Sequence, residues 1–414
     1  MSVETIPSKI RTLERSELTV QEVLTKGVDN LIPDSESLAR KMHGEKIRIY
    51  LGIDPTGTDL HLGHLVPLIK LRQFQNLGHE AILVLGTFTA RVGDPTDKTA
   101  VRKKLTSEEI RKNMVTYQQQ LTKIFGSLRD VSNPLILFQN DEWLSKITLE
   151  QFLDLASNFT VQQIGNRKMF KERAAVNKPI WLHEYLYTLM QGYDSYHLQV
   201  DAEIGGKDQI HNMEVGRHFV KRYLGKEKWN VATKLLEDPS GKKMGKTEGN
   251  NVNLNDWPEI KFEMIMSWPD EMIPTAFELL TSVPSQLVEQ VRQELSKGTT
   301  NPMEVKKSLA FKIIAEIDGV QVAAQAEVEF DRVLREGLPP SRVREYKTQK
   351  GVSLSNLLMG SKLVSSEVEA NTKIAQGSVL IDGKRAKASV LITEDCIVQI
   401  GKRTIKNIRA IRID

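Results

Sequence analysis

The fold is decided by the stretch Lys46-Ile-Arg-Ile-Tyr-Leu-Gly-Ile-Asp-Pro-Thr-Gly-Thr-Asp-Leu-His-Leu-Gly-His64. Its first part, up to Asp54, alternates polar and apolar side chains and is rich in isoleucine, which predicts a β-strand. A turn signal at Pro55-Thr56-Gly57 follows, and residues 61–75 predict a helix. Residues 80–86 form a nearly continuous apolar run, typical of a strand buried on both faces. Strand, helix and apolar strand in this order predict an α/β fold with a doubly wound, Rossmann-like parallel sheet, whose ligands bind at the carboxyl ends of the strands.

The rest of the chain divides into helical and mixed stretches. Residues from about 105 to 190 predict mainly helices, and residues 197–204 predict a strand that ends at Gly205-Gly206. From about residue 257 the pattern predicts helices only. We therefore expect a Rossmann-like domain in residues 1–245 with a helical insertion at about 115–190, an α-helical domain in residues 246–336, a linker in residues 337–350, and a small α+β module in residues 351–414.

Three local signals refine this division. One helix is predicted to begin at Asn301-Pro302, with Asn301 as its N-cap. The next helix is predicted to bury Ala326, Phe330, Val333 and Leu334. Asp382-Gly383 predicts a β-hairpin turn in the C-terminal module.

The composition is ordinary for a globular protein. The chain has 414 residues and one cysteine, Cys396, which excludes an intrachain disulfide and an all-cysteine metal site. The N-terminal residues show no apolar core of signal-peptide length, and no run of about 18 apolar residues occurs. We therefore expect a cytoplasmic protein that does not enter a membrane.

The positive charge is concentrated near the C-terminus. Residues 337–414 hold 14 Lys and Arg against 7 Asp and Glu, whereas the whole chain holds 57 against 53. This basic tail predicts contact with a polyanion, and a charge that serves only solubility is the alternative.

The first chemical motif is His61-Leu-Gly63-His64, which directly follows the predicted strand and turn. A helix N-terminus offers N–H groups and partial positive charge, which suit a phosphate. The imidazoles add further hydrogen-bond donors, and Gly63 lets a nucleotide approach the backbone. A zinc site is the weaker alternative, because the motif lacks the Glu of H-E-x-x-H and has no cysteine nearby. We expect no metal site here.

The second motif is Lys243-Met-Gly-Lys246-Thr247, within a glycine- and lysine-rich loop. Clustered lysines on such a loop suit a cationic clamp on a pyrophosphate. A P-loop is excluded, because the pattern G-x-x-x-x-G-K-[ST] needs glycine at position 240 and finds Ser240 there. Taken alone, the loop could also be a solvated basic segment.

Together the two motifs resemble the HIGH and KMSKS signatures of class I aminoacyl-tRNA synthetases, in that order. The intervening residues resemble the bacterial-type tyrosyl group of that family: Tyr50-x-Gly52-x-Asp54, Gly93-Asp94-Pro95, Tyr187-x-x-x-Gln191-x-x-Asp194 and Gly205-Gly-Lys-Asp208-Gln209. The C-terminal module resembles an S4-type RNA-binding domain. The sequence departs from a common bacterial form at Glu203 and Ile210, where that form has Gln and Trp.

The resemblance implies a role for each matching residue. The tyrosine site would comprise Tyr50, Thr89, Asp94, Tyr187, Gln191, Asp194 and Gln209, with Tyr50 and Asp194 at the phenolic hydroxyl and Asp94, Tyr187 and Gln191 at the ammonium. The ATP site would comprise Gly52, Asp54, His61, Gly63, His64, Gly206, Asp208 and Lys246. The groups acting on the departing pyrophosphate and ribose would be Thr56, His61, His64, Lys98, Arg102, Lys243, Lys246 and Thr247.

The resemblance also implies the reaction and the partners. ATP, expected with Mg²⁺, would activate L-tyrosine as an adenylate, and tyrosine would then pass to the terminal adenosine of tRNA-Tyr. Members of the family are homodimers, and their helical domain, here 246–336 with the lysine loop at its start, binds the anticodon. A tryptophan-activating relative is one alternative, and the Tyr50/Asp194 pair and the basic tail argue against it. An RNA-binding protein that reuses the scaffold is another, but it would need neither the histidines nor the lysine loop.

Overall fold

The structure, a computed structural model, describes residues 5–13, 18–96, 105–126, 132–244, 251–334, 336, 340–387, 390–401 and 407–414. The chain forms two compact units. One consists of residues 1–255 and 269–305, and the other consists of residues 256–268 and 306–414. The four-part division expected from the sequence stays a prediction, since a division by compactness does not test a division by function.

A six-stranded sheet forms the centre of the first unit. Its strands are β1 (Val28–Ile32), β2 (Arg48–Ile53), β3 (Glu80–Leu85), β4 (Ile136–Gln139), β5 (Ala202–Gly206) and β6 (Trp229–Thr233). They lie in the order β1-β6-β5-β2-β3-β4. Only β1 is antiparallel to its neighbour; the remaining pairs are parallel. The predicted strands at 46–54 and 80–86 are confirmed as β2 and β3, and they lie next to each other as a doubly wound sheet requires.

The first unit also contains helices. They are α1 (Ile6–Thr12), α2 (Val20–Thr25), α3 (Ser35–Gly44), α4 (Leu62–Asn76), α5 (Ser107–Phe125), α6 (Asp141–Leu144), α7 (Leu149–Ala156), α8 (Val161–Gly165), α9 (Lys168–Ala175), α10 (Leu182–His197), α11 (Ile210–Leu224), α13 (Ile273–Leu280) and α14 (Ser285–Lys297). The intervening helix, α12 (Pro258–Met266), belongs to the second unit. Short 3₁₀ helices occur at Thr89–Arg91, Lys207–Gln209 and Asp270–Met272. Capping boxes at Thr106, Thr148 and Thr160 satisfy the first N–H groups of α5, α7 and α8.

One prediction for this unit was wrong in detail, and another, that residues from about 105 to 190 are mainly helical, is confirmed but missed one strand. The strand predicted at 197–204 begins only at Ala202, because α10 continues to His197. The chain turns between these elements at Gln199, which has a φ of 52°. The mainly helical region also contains β4, whose apolar residues pair with β3 at the edge of the sheet. A four-residue strand is too short to be distinguished from a helix segment by periodicity alone.

Two buried lysines connect α4 with distant segments of the first unit. The Nζ atom of Lys70, on α4, donates to the carbonyl oxygens of Val23 (2.6 Å) and Lys26 (2.7 Å). The Nζ atom of Lys26 donates in turn to the carbonyl oxygens of Thr281 (2.6 Å) and Val283 (2.5 Å). Burial lowers the pKa of Lys70 to about 7. These bonds hold α4 against the residues around 23–26, which themselves rest on residues 281–283.

The second unit contains helices and a smaller sheet. Its helices are α12 (Pro258–Met266), α15 (Pro302–Asp318, whose first residues belong to the first unit), α16 (Val320–Leu334), α17 (Leu354–Gly360) and α18 (Glu367–Ala375). Its strands are β7 (Arg344–Thr348), β8 (Val352–Ser353), β9 (Val379–Ile381), β10 (Lys384–Arg385), β11 (Leu391–Ile392), β12 (Cys396–Ile400) and β13 (Ile408–Ile413). Five of these form a sheet in the order β10-β9-β12-β13-β7, and β11 pairs with β8. The C-terminal module has its own apolar core, which includes Leu354, Leu358, Val379 and Ile411.

Most local predictions for this region hold. Asn301 caps α15, with its Oδ1 atom accepting the N–H of Met303 at 3.0 Å. Asp382 and Gly383 have φ values of 46° and 79° and connect the antiparallel strands β9 and β10, as the hairpin prediction requires. Ala326, Phe330 and Val333 are buried, but the prediction for Leu334 was wrong, because this last residue of α16 is 43% exposed. Within the described residues, no helix is long and apolar enough to cross a membrane.

Candidate active site

A cavity of about 800 Å³ lies in the first unit, at the carboxyl ends of β2, β3, β5 and β6. The predicted site residues that line it are Gly52, Asp54, Thr56, His61, Gly63, His64, Thr89, Asp94, Tyr187, Gln191, Asp194, Gly206, Asp208, Gln209 and Lys243. Tyr50 is not among the lining residues. The predicted Lys98, Arg102, Lys246 and Thr247 lie outside the described residues. The cavity therefore brings together residues from segments that are far apart in the sequence.

The two histidines of the first motif stand at the start of α4. His61 is the N-cap, and its Nδ1 atom accepts the backbone N–H of Gly63 at 3.1 Å. The Nδ1 atom of His64 accepts the backbone N–H of His61 at 3.2 Å, and the ring centroids are 3.8 Å apart. Because Nδ1 is the acceptor in both rings, the proton of each neutral imidazole is on Nε2. The backbone thus fixes both rings as donors through Nε2, beside a helix N-terminus that favours anions.

The segments on either side of residues 245–250 are anchored next to these histidines. The backbone N–H of Leu62 donates to the carbonyl oxygen of Val252 at 2.9 Å. On the other side, a Cβ atom at Gly63 would lie 3.0 Å from the carbonyl oxygen of Met244, so glycine allows this close approach. Lys243 lines the same cavity as His61 and His64. The structure therefore places the first lysine of the second motif beside the first motif.

The lysine side of the cavity carries an ion pair. The Nζ atom of Lys243 lies 2.9 Å from Oδ2 of Asp208, and both side chains are partly exposed. The carboxylate lies against Gly206, where a Cβ atom would approach Asp208 Oδ1 to 2.5 Å and a methyl carbon of Leu235 to 2.8 Å. Glycine at position 206 therefore leaves space for the Asp208 carboxylate at the end of β5.

Asp54 lines the cavity and accepts hydrogen bonds from two other residues that line it. Its Oδ1 atom accepts the Thr89 hydroxyl at 2.7 Å, and its Oδ2 atom accepts the Tyr187 hydroxyl at 3.0 Å. A Cβ atom on Gly86 would lie 2.0 Å from Asp54 Oδ1, so only glycine fits there. The sequence predicted Tyr187 as a contact of the substrate ammonium, whereas here its hydroxyl is bonded to Asp54.

Asp94 is held from both sides. Its Oδ2 atom accepts the Gln209 amide at 2.7 Å, and its Oδ1 atom accepts both the N–H (2.9 Å) and the hydroxyl (2.6 Å) of Thr96. The buried Arg167 donates to the same Thr96 hydroxyl at 2.5 Å. Sequence reasoning missed Thr96 and Arg167, because nothing in the spacing of residues 96 and 167 indicates that they meet.

Asp194 lies at the buried end of the cavity and is 3% exposed. Its Oδ1 atom accepts the indole N–H of Trp143 at 2.7 Å, and its Oδ2 atom accepts the Asn140 amide at 3.1 Å. Burial raises the pKa of this carboxyl to about 8, although the two hydrogen bonds act in the opposite direction. Asn140 and Trp143 were also missed by the sequence analysis, which read this region as helical without functional residues.

Tyr50 is fully buried behind the cavity, and its hydroxyl donates to Oε1 of Glu203 at 2.9 Å. The sequence analysis expected Tyr50 to pair with Asp194 around a substrate hydroxyl. The acceptor that this chain supplies is instead Glu203, which forms a buried ion pair with Lys228. Burial and the neighbouring carboxylates raise the pKa of Tyr50 well above its ordinary value, so it stays a protonated donor. Lys228 stands between Glu227 and Trp229 in the sequence and was not singled out as functional.

Comparisons with known proteins agree on one family. A family model described as tRNA synthetases class I (W and Y) matches residues 42–335. The tyrosine–tRNA ligase of Carboxydothermus hydrogenoformans is 38% identical over 398 residues, covering 92% of this chain and 95% of that protein. Tyrosine–tRNA ligase 2 of Vibrio cholerae is 39% identical over 383 residues, again covering 92% and 95%. A C-terminally truncated mitochondrial tyrosyl-tRNA synthetase of Aspergillus nidulans has the same fold, with a TM-score of 0.64 and 21% identity over 80% of this chain and 97% of that one.

Proposed function

The chain belongs to the class I tRNA synthetases for tryptophan and tyrosine, and within that family we propose that it attaches L-tyrosine to its tRNA. It is an ATP-dependent tyrosine–tRNA ligase that forms tyrosyl-adenylate and pyrophosphate, then transfers tyrosine to the terminal adenosine of tRNA-Tyr. One observation carries this conclusion: the same cavity joins a phosphate-binding helix start, with His61, His64 and Lys243, to a buried carboxylate, Asp194.

The first step follows from the groups at the exposed end. A carboxylate oxygen of tyrosine attacks the α-phosphorus of ATP, and the bond from that phosphorus to the bridging oxygen breaks as pyrophosphate leaves. The substrate carboxylate is already ionised, so no protein base is required. We propose that His61 and His64 donate through Nε2 to the ATP phosphates and ribose, and that Lys243 leaves Asp208 to meet the pyrophosphate. Catalysis is then positioning and electrostatic stabilisation.

ATP enters this reaction as its magnesium complex, which we treat as the substrate. Lys98, Arg102, Lys246 and Thr247 are proposed to add cationic and hydroxyl groups around the same pyrophosphate. Thr56, which lines the cavity, is proposed to contact it as well. Gly52, Gly63 and Gly206 are proposed to let the nucleotide approach the backbone, and Asp54 and Asp208 to bind the adenylate and its ribose.

The buried end suits the amino acid. We propose that the phenolic hydroxyl of tyrosine lies between Asp194 and Tyr50, because a buried carboxyl needs a polar partner and phenylalanine would supply none. The ammonium group is proposed to meet Asp94, Tyr187 and Gln191. Asp94 would then contribute the negative charge, and Gln209, which already bonds to it, would face the substrate carboxylate. Thr89 supports this pocket through Asp54.

The tRNA is proposed to bind the α-helical domain and the basic C-terminal module. Residues 337–414 carry twice as many Lys and Arg as Asp and Glu. We also propose a homodimer that forms through the region of α7 to α10, because several large apolar side chains there are exposed to solvent. They are Leu149, Leu153, Val161, Trp181 and Leu182. The enzyme is proposed to work in the cytoplasm, where tRNA and ATP are available.

Exchange of labelled pyrophosphate into ATP, measured with each of the twenty amino acids, tests the function. Tyrosine should support exchange, while tryptophan and phenylalanine should not. Exchange with tryptophan in preference to tyrosine would assign the chain to the other branch of the family. Tight RNA binding without any exchange would instead indicate an RNA-binding protein that reuses the scaffold.

A further inference from the structure

Glu203 and Lys228 form a buried ion pair beside the residues that line the cavity. Glu203, on β5, is 1% exposed, and Lys228, next to the start of β6, is 0% exposed. The Nζ atom of Lys228 donates to Glu203 Oε2, to the Met213 carbonyl oxygen (3.0 Å) and to Asn230 Oδ1 (2.9 Å). Three acceptors require three protons, so Lys228 is an ammonium group and Glu203 is its counter-charge.

The Glu203 carboxylate accepts four hydrogen bonds, two at each oxygen. Oε2 accepts Lys228 and the Ser195 hydroxyl (2.9 Å). Oε1 accepts the Tyr50 hydroxyl (2.9 Å) and the Gln191 amide (3.0 Å). One oxygen of Glu203 is thus bonded to its counter-charge, and the other is bonded to two residues predicted for the tyrosine site.

The contact with Glu203 decides which way the amide group of Gln191 faces. An ionised carboxylate can only accept, so Gln191 must turn its amide nitrogen toward Glu203. Gln191 lines the cavity and Glu203 does not, so the amide oxygen of Gln191 is the atom left for a ligand. In the part of the chain that the structure describes, no hydrogen bond is donated to that oxygen.

We propose that Glu203, held as an anion by Lys228, is a positioning residue that keeps the amide oxygen of Gln191 directed at the ammonium group of the amino acid. Of the other two residues proposed for this group, Asp94 already accepts three hydrogen bonds, and the Tyr187 hydroxyl donates its proton to another carboxylate. A neutral acceptor of fixed orientation then completes a site whose negative charge comes from Asp94. This inference rests on the proposed function, since it takes an amino acid as the substrate.

Glu203→Gln should reverse the orientation of Gln191 while keeping the shape of the replaced side chain. Lys228 can only donate, so it holds the amide oxygen of the variant at the Oε2 position. The amide nitrogen of the variant then faces Gln191, whose own amide group turns by half a rotation to accept from it. The amide nitrogen of Gln191 then faces the substrate ammonium, and two donors cannot bond to each other.

Two inhibitors of tyrosine-dependent pyrophosphate exchange separate the ammonium group from the rest of the amino acid. Tyramine has the phenol and the ammonium group without the carboxylate, and 3-(4-hydroxyphenyl)propionate has the phenol and the carboxylate without the ammonium group. Glu203→Gln should raise the Ki of tyramine about 10- to 100-fold, the effect of one hydrogen bond to a charged group, and that of the propionate by no more than about threefold.

The comparison of the two inhibitors distinguishes positioning from a structural role. Both carry the phenol, so a change at Tyr50 or a general loosening of the site affects both alike. The KM for tyrosine should rise together with the Ki of tyramine, while the KM for ATP should stay nearly unchanged. Equal increases in Ki for the two inhibitors would overturn the proposal.

Two combined variants test whether the effect passes through the named partners. In a Gln191→Leu background, Glu203→Gln should raise the Ki of tyramine no further, because the amide group that it misdirects is gone. Glu203→Gln combined with Lys228→Met should return the ratio of the two Ki values to within about threefold of the wild type, since nothing then holds the new amide oxygen away from Gln191. An additive effect in the first pair, or an unrestored ratio in the second, would contradict the proposal.

Glu184→Gln is the matched control. Glu184 lies on α10, as Gln191 does, and forms a buried, doubly hydrogen-bonded pair with Arg173. Neither Glu184 nor Arg173 lines the cavity. This variant should lower the midpoint of thermal unfolding and leave the ratio of the two Ki values as in the wild type. The proposal fails if Glu203→Gln behaves in the same way.

A crystal structure of the wild type with tyramine provides a measurement that does not depend on the folding of a variant. One end of the Gln191 amide group should lie within about 3.2 Å of Glu203, and the other end within about 3.2 Å of the tyramine nitrogen. A tyramine nitrogen out of reach of Gln191 would overturn the proposal. Failure of the wild type to use tyrosine at all would instead overturn the proposed function.

Discussion

The two ends of the cavity are built in opposite ways. At the phosphate end, His61 and His64 are oriented by backbone N–H groups within α4, and Lys243 is 37% exposed. At the amino-acid end, the carboxylates of Asp194 and Glu203 are almost completely buried, and each is satisfied by side chains from distant segments. The end with His61, His64 and Lys243, where we propose that ATP binds, can remain hydrated in the absence of a ligand. The amino-acid end must be assembled by folding, because a buried carboxyl without partners would be too costly.

This difference has a consequence for mutations and solution conditions. Interactions at the buried end act in a medium of low dielectric constant, where each hydrogen bond is strong. Loss of one partner there costs more free energy than it would in water. Those at the exposed end are weakened by water and salt. Changes at Asp194 should therefore have larger effects than changes at the histidines or lysines.

The largest effect is expected for Asp194→Asn. The amide has one acceptor oxygen, but Trp143 and Asn140 both donate to this side chain, so one donor or the substrate hydroxyl loses its partner. We expect kcat/KM for tyrosine to fall about 10³- to 10⁴-fold, corresponding to ~4–5.5 kcal/mol. Pyrophosphate exchange at limiting tyrosine measures it. An activity within tenfold of the wild type would remove Asp194 from substrate recognition.

The same carboxyl should make stability depend on pH. Its pKa is raised from 3.8 to about 8 by burial, so the folded state holds a proton that the unfolded state releases above pH 4. Below pH 4 both states are protonated, and above pH 8 both are ionised. The free energy of unfolding should therefore fall by a few kcal/mol as pH rises between about 4 and 8. Urea unfolding at pH 5 and pH 8 should show a clearly smaller difference in Asp194→Asn; equal differences would contradict the assignment.

His64→Ala should affect the exposed end alone. It removes a donor aimed at the nucleotide while leaving the buried end intact, so adenylate formation should slow about 10²- to 10³-fold and tyrosine binding should change little. Single-turnover adenylate formation and equilibrium binding of tyrosine separate the two effects. An unchanged rate of adenylate formation would exclude His64 from the mechanism.

Deletion of residues 341–414 should leave both ends of the cavity unaffected. This segment includes β7 through β13 and has its own core, so its removal takes away a complete module. We expect pyrophosphate exchange close to that of the full chain, with tRNA charging reduced about 10- to 100-fold through loss of basic contacts. A parallel loss of exchange and charging would show that the module supports the catalytic domain.

The smallest expected effect is that of salt. Raising ionic strength from about 0.05 M to about 0.5 M shortens the Debye length severalfold, so contacts between the exposed cations and ATP should weaken. The KM for ATP should rise a few-fold, while the KM for tyrosine should change less. A larger increase for tyrosine would reverse the contrast between the two ends.

The phosphate end could be predicted from the sequence, and the amino-acid end only in part. His61, His64 and Lys243 belong to short local motifs whose spacing has a physical meaning, and β2, α4 and β3 follow from periodicity. Glu203 and Lys228 are in contact because β5 and β6 are neighbouring strands. The local sequence around either residue does not indicate this pairing of strands. A lysine between Glu227 and Trp229 is typical of a surface, and only the structure shows it buried.

Corrections elsewhere have the same origin. The sequence analysis began β5 too early and missed β4. Both are short apolar stretches, and pairing with neighbouring strands decides whether such a stretch becomes a strand or a helix. Asn140 and Trp143 contact the predicted Asp194 only after the chain has folded, and Arg167 contacts Thr96, which in turn holds Asp94. The resemblance to a family supplied Asp194 and Asp94, and the structure supplied the groups that hold them.

The buried lysines Lys70 and Lys26 connect α4 to residues 23–26 and these to residues 281–283. The segment around residues 23–26 therefore supports the helix that begins after His61. The carbonyl groups of Val23 and Lys26 receive the ammonium group of Lys70, which lies on the helix that begins at His61. A truncated chain starting at residue 27 would remove both carbonyl acceptors of Lys70 and leave its buried ammonium group without them. Trimming or fusing the protein at this edge would therefore disturb α4, whose start carries His61 and His64, the proposed nucleotide site.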